Sequence, residues 1–225
     1  IEEVTDRLIS EKGYSAAGIP REVVRSIVSE IAENIAEQMV SKPKPGPVYN
    51  RINRNIHLFE KAIAAKLAEN PETLTGDQLE FIITRNPELA GRIAPLLIDR
   101  LKAEGRDDLV EVLRELWAEE HPEFQLKCPR CGFRSLAPDF HCVVCGYEVS
   151  EEEVRKHNNI DQELETFIEN AGPSELRKLL STGFFYYTTG IELPGDDSGK
   201  GYMFFLTRRD RERIEKRLRE LGELD

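Results

Sequence analysis

Residues 126–149 read LKCPRCGFRSLAPDFHCVVCGYEV and contain all four cysteines of the 225-residue chain: Cys128, Cys131, Cys142 and Cys145. They form two Cys-x-x-Cys pairs with ten residues between them. Each pair makes one tight turn whose two sulfurs converge, and the intervening loop folds the second pair back onto the first, the spacing of a tetrahedral four-thiolate metal site. Gly132 and Gly146 each follow the second cysteine of a pair. A positive φ there lets the chain turn away while backbone amides face sulfur. With all four positions filled by protein, no coordination site remains for water or substrate, so the expected metal is structural and the catalytic residues at this site are none.

The double Cys-x-x-Cys-Gly pattern resembles the zinc-ribbon family in its short form, over residues 126–148 only. The resemblance implies one Zn2+ held by Cys128, Cys131, Cys142 and Cys145 on two short β-hairpins. Val143 stands where the commonest form of the second knuckle has proline. A rubredoxin-like iron site uses the same four thiolates, although its knuckles usually lie farther apart. A thioredoxin-type pair would need a βαβ unit before Cys128, which the sequence lacks. Two disulfides would need an oxidising compartment or a hyperthermophile and would leave the paired glycines unexplained. Lys127, Arg130 and Arg134 are placed to offset the charge of −2 that four thiolates leave on a divalent ion. His141 is expected to be a neighbour of the site or a surface residue.

Around this segment the chain reads as helix. Val24, Ile27, Val28, Ile31, Ile35 and Met39 recur at spacings of three and four, predicting a helix from Pro20. Lys42-Pro43-Lys44-Pro45-Gly46-Pro47 should interrupt it as a stiff extended hinge. Ile52, Ile56, Phe59, Ile63 and Leu67 then predict one helix over residues 48–70. Asn70-Pro71-Glu72 and Asn86-Pro87-Glu88, with His121-Pro122-Glu123 and Gly172-Pro173-Ser174-Glu175 as relatives, read as independent helix starts rather than copies of a repeat. Leu109, Val110, Leu113, Leu116 and Trp117 predict a helix before the cysteines. Helices are expected after them at 150–157, 161–170 and 174–180.

The pattern changes at Phe184–Thr189 and Tyr202–Leu206, two aromatic, β-favouring runs either side of a turn-rich stretch, Pro194–Gly201. They predict a β-hairpin with a long tip. Thr207, with Asp210 three residues on, should cap a final helix reaching about Leu221. The sequence from Asp161 to Leu221 has the outline of a winged-helix unit, with residues 174–180 as its reading helix and the tip as its wing. The fold class is therefore mainly α with a small β component. The segments are N-terminal helices at 1–41, a hinge at 42–47, a helical domain at 48–125, the ribbon at 126–149 and a C-terminal α+β unit at 150–225.

Charge narrows the function classes. A net charge of −11 argues against a surface built to lie along DNA or RNA and favours a protein partner. The one clearly basic segment is 42–70, with six bases against two acids. There Lys42, Lys44, Arg51 and Arg54 interleave with Tyr49, His57 and Phe59, a mixture that can hold a phosphate backbone and stack a base; a solvated helix face is the plainer reading. In the last helix, arginines alternate with acids at ion-pairing spacing. No glycine-rich phosphate loop is present, and His57, His121, His141 and His157 do not fall at metal or triad spacing. No run of apolar residues reaches the roughly 18 of a membrane span. Ile1 opens the chain on a helical pattern, as a fragment would, and abundant Glu and Arg suit a thermophile.

The reading that emerges is a cytoplasmic adaptor that assembles a protein complex, its ribbon fixing the angle between helical parts and offering the loop from Arg134 to Asp139. The alternative is a nucleic-acid-associated factor using residues 42–66, Arg130, Arg134 and the C-terminal hairpin.

Overall fold

The computed structural model describes residues 1–38, 44–195 and 201–224. They form eleven α-helices and one three-stranded antiparallel sheet, a mainly helical fold with a small β component. The chain divides into two compact units, residues 1–120 and 121–225.

The first unit is all helix: α1 (Glu2–Lys12), α2 (Arg21–Glu37), α3 (Pro45–Arg54), α4 (Ile56–Leu67), α5 (Gly76–Arg85), α6 (Pro87–Ala103) and α7 (Asp107–Glu120). Its core takes Val24 and Val28 from α2, Ile63 from α4, Leu79 and Ile82 from α5, Leu97 and Leu101 from α6, and Leu113 from α7. The close pair is α6 and α7. A Cβ on Gly91 would stand 2.8 Å from the Leu116 carbonyl oxygen, so only glycine permits this approach.

Three boundaries differ from the sequence expectation, each for a local reason. Pro45, Gly46 and Pro47 do not extend the connection but form the first turn of α3, with Pro45 at the first position, where a missing N–H costs nothing. The helix expected over 48–70 breaks at Asn55, whose φ of −122° leaves the helical region. Its side-chain amide donates to the Arg51 carbonyl at 3.1 Å, replacing a backbone bond. Asn70-Pro71-Glu72 yields only a single 3-10 turn, Pro71–Thr73, because the cap that starts α5 is Thr75. Thr75 and Gln78 make reciprocal side-chain to backbone bonds. Asn86 and Gly172 do precede helices with proline at the first position, whereas His121-Pro122-Glu123 starts none.

The second unit holds the cysteine segment, then α8 (Glu151–His157), α9 (Ile160–Asn170), α10 (Pro173–Thr182), β1 (Phe184–Tyr187), β2 (Ile191–Glu192), β3 (Tyr202–Phe205) and α11 (Arg208–Glu220). Ser150 with Glu153 caps α8, and Thr207 with Asp210 caps α11. The two aromatic runs pair as expected, Phe184 opposite Phe205 and Tyr187 opposite Tyr202. A short β2 adds to the far side of β1, giving the order β2-β1-β3. Most of the expected hairpin tip, residues 196–200, lies outside the described residues.

One core runs through this unit. Leu126, Cys128, Leu136 and Cys142 from the cysteine segment are buried with Val154, Leu164, Leu176, Leu179, Phe185, Phe204, Ile214 and Leu218. The cysteine segment and the elements after it thus share a hydrophobic interior.

Candidate metal centre

The two halves of the cysteine segment are structural copies fourteen residues apart, Cys128 matching Cys142 and Cys131 matching Cys145. In each, the amide of the first cysteine donates across the knuckle, Cys128 to the Phe133 carbonyl at 2.8 Å and Cys142 to that of Tyr147 at 2.9 Å. The glycine amide closes the turn, Gly132 onto Cys128 and Gly146 onto Cys142, both at 2.9 Å. Both glycines have the positive φ expected of them, 79° and 69°. A second rung repeats as well, since Ser135 donates to Leu126 and Val149 to Phe140, both at 3.1 Å. Each knuckle is therefore a small antiparallel turn, with isolated bridges Lys127 to Arg134 and His141 to Glu148.

This pairing brings the four sulfurs together, all within 4.8 Å of one another. Cys131 and Cys142 Sγ are 3.6 Å apart, and Cys128 and Cys145 Sγ are 3.8 Å apart. Sulfurs at the corners of a tetrahedron around an ion bound at about 2.3 Å would be about 3.8 Å apart. The donor set fits a thiophilic divalent ion in both chemistry and spacing. Cys128 and Cys142 are fully buried, and Cys131 and Cys145 partly so.

Electrostatics separates the thiols. Burial pushes Cys128 and Cys131 up, and neighbouring Cys142 adds to both. Burial acts on Cys142 in the same direction, but hydrogen bonds from Ser135 and from the Cys145 and Val144 amides outweigh it and bring that thiol down to about 7. Ser135 Oγ lies 3.1 Å from Cys142 Sγ, and the Cys145 amide donates to the same sulfur at 3.4 Å. Ser135 is itself fully buried, a polar residue placed beside the sulfur most ready to be a thiolate. Sequence reasoning passed over it, because a serine in a loop carries no spacing signal; its one trace is that it holds the position Val149 holds in the second half.

The centre is tied into the sheet. Phe140 stacks on Tyr202 with ring planes 4° apart and lies 5.2 Å from the Phe204 ring. Next to the sheet sits a second polar feature that the sequence did not disclose. Arg155 of α8 is buried and donates to Asp161 at 2.7 Å, to the Phe205 carbonyl at 2.9 Å and to Asp210 at 2.7 Å. Asp210 is equally buried and also accepts from the Thr207 amide. The cap of α11 therefore doubles as the counter-ion of Arg155.

The basic residues singled out in the sequence fall in both units. In the first, Lys44 precedes α3 and is exposed, while Arg51 and Arg54 lie exposed in its last turn, where positive charge suits the helix dipole. Lys42 lies outside the described residues. The rings expected beside them are taken by the fold: Tyr49 is buried, with the Arg7 guanidinium 3.7 Å from its ring centroid and its hydroxyl bonded to Glu11, and Phe59 is buried in the core. In the second unit, Arg130 lies 5.5 Å over the Tyr147 ring and Arg134 is exposed. Of the loop from Arg134 to Asp139, Ser135 and Leu136 are buried, leaving Pro138 and Asp139 at the surface with Arg134.

Among the described residues, no helix is long and apolar enough to cross a membrane. No family model, no curated protein and no solved structure matches the chain.

Proposed function

We propose that the chain is a zinc-ribbon adaptor that assembles a protein complex, with one structural Zn2+ held by Cys128, Cys131, Cys142 and Cys145. The observation that carries this reading is that two matching knuckles supply all four sulfurs while Cys128 and Cys142 also belong to the hydrophobic core. When bound, the ion supplies folding free energy, on the order of 10–16 kcal/mol in small zinc-finger peptides. A site closed by four thiolates offers no position for a reacting oxygen. Zinc is favoured over iron by the short ten-residue loop between the pairs.

Support for a protein partner comes from the net charge of −11 and from large aliphatic side chains left in water on the first unit. Leu58 is 56% and Leu96 64% exposed. An affinity-tagged chain expressed in its source cells tests the reading. A stoichiometric protein partner that is lost in Leu58→Asp or Leu96→Asp, with melting unchanged, supports an adaptor. A chain that remains alone at its own mass of 25.7 kDa contradicts it.

A further inference from the structure

The order β2-β1-β3 leaves β3 at the rim of the sheet. The Leu206 amide donates to the Gly183 carbonyl at 2.9 Å, and Phe204 stands opposite Phe185 and Tyr202 opposite Tyr187. Antiparallel alternation therefore turns the amides and carbonyls of Met203 and Phe205 away from β1. An edge of this kind is a template for another strand. Its sequence strengthens the hazard, since Tyr202-Met203-Phe204-Phe205-Leu206 is β-favouring and carries no charge and no proline. The side chains of Met203 and Phe205 are also left in water, 38% and 55% exposed.

Side chains of α8 stand where a neighbouring strand would. Glu151 accepts from the Phe205 amide at 3.0 Å, and Arg155, held by Asp161 and Asp210, donates to the Phe205 carbonyl at 2.9 Å. Together they reproduce both bonds that a strand would exchange with Phe205. Among the described residues, the Met203 amide and carbonyl meet no partner on that side. The helix is in turn anchored to the cysteine segment at both ends. It is capped by Ser150, directly after Val149, whose amide closes the second knuckle on Phe140. At its far end Asn158 brackets Lys127, accepting from its amide at 2.7 Å and donating to its carbonyl at 3.0 Å, directly before Cys128. The cysteine turns and the cover of the edge are therefore one mechanical assembly.

We propose that α8 is a strap over a strand-pairing site, and that loss of the ion from the four cysteines frees β3 to pair edge to edge with β3 of a second copy. The trigger rests on the metal reading above; the covered edge does not. With Phe204 on a two-fold axis, each copy's Met203 exchanges both backbone bonds with the other's Phe205, so every donor and acceptor on the opened edge finds its mate. The side chains of Met203 and Phe205 then lie side by side across the seam and leave water. A second copy is the matching occupant, because every metal-free chain presents the identical edge. Pairing about a two-fold axis uses up both edges, so association stops at the dimer.

Light scattering after gel filtration, in a phosphine reductant that keeps the thiols from cross-linking, tests the proposal on the full chain before and after chelation. Metal-loaded protein should run at its own 25.7 kDa and chelated protein at about twice that mass. Met203→Pro removes an amide that β1 does not use, and should hold the chelated chain at its single mass. Met203→Lys, which places a charge on the edge, serves if the proline variant fails to load metal. Phe184→Ser, on the outer face but away from the edge, should leave the pairing intact. Chelated protein that stays at its single mass overturns the proposal. Association that survives both Met203 variants, or that Phe184→Ser abolishes, also overturns it. Zinc content before chelation separates the two readings. Zinc-bearing protein that stays at its single mass once stripped contradicts the strap alone, whereas protein that purifies without metal at its single mass contradicts both.

Discussion

The hydroxyl of Tyr202, on β3, donates to the carbonyl oxygen of Leu136, in the loop between the cysteine knuckles, at 2.6 Å. The Tyr202 hydroxyl in turn accepts from the Gln125 amide at 3.0 Å. The start and the middle of the cysteine segment are thus fastened to a strand far away in the sequence. With Phe140 stacked on Tyr202, the metal centre and the sheet should melt as one cooperative body. Tyr202→Phe keeps the ring but strands a buried carbonyl and a partly buried amide. We expect a loss of about 1–3 kcal/mol in the second unit's unfolding free energy, read by urea titration with metal bound.

Arg155 and Asp210 make a comparable prediction in a different currency. Both side chains are 5% exposed, so removing one partner leaves an uncompensated buried charge. Arg155→Met should destabilise the second unit by about 3–5 kcal/mol. Arg155→Met with Asp210→Leu should recover part of that loss, because neither charge then remains. A double variant less stable than the single one would show that the α11 cap and the Phe205 carbonyl, rather than the ion pair, dominate the site.

Ser135 is expected to act on the metal rather than on the fold. Its hydroxyl lies 3.1 Å from Cys142 Sγ and helps hold that thiol at about 7. Ser135→Ala removes the donor and leaves a small cavity. Metal affinity, measured by competition with a chromophoric chelator, should fall about 10–100-fold. Affinity unchanged within twofold would mean that the backbone amides of Cys145 and Val144 suffice.

Gly91 tests the first unit alone. A side chain there must push α6 away from the Leu116 carbonyl. Gly91→Val should cost about 1–3 kcal/mol in the transition belonging to residues 1–120 and leave metal content at its wild-type value.

What could be read in advance was local. The cysteine spacing, the glycines after each pair, the Ser150 and Thr207 helix starts and the pairing of the two aromatic runs all depend on neighbours a few residues apart. The break at Asn55 was hidden because the apolar stripe through Ile52, Ile56 and Phe59 continues in register across it; only the bond from Asn55 to Arg51 shows why the helix stops. Pro45 and Pro47 read as a connection because proline ends helices, yet it starts them equally well at the first position. Arg155 and Asp210 lie 55 residues apart, and Asp210 had already been given a complete role as a cap. In the basic segment the apolar stripe already carried Phe59, which is buried, whereas no sequence signal separated Tyr49, buried as well, from the bases beside it.

Elemental analysis of the purified protein, prepared without added metal and followed through a thermal melt before and after chelation, tests the proposed zinc clasp most directly. The expected result is about one zinc per chain, lost on chelation or in Cys128→Ser together with the melting transition of residues 121–225. Iron in the site, or protein free of metal that melts unchanged, would contradict it.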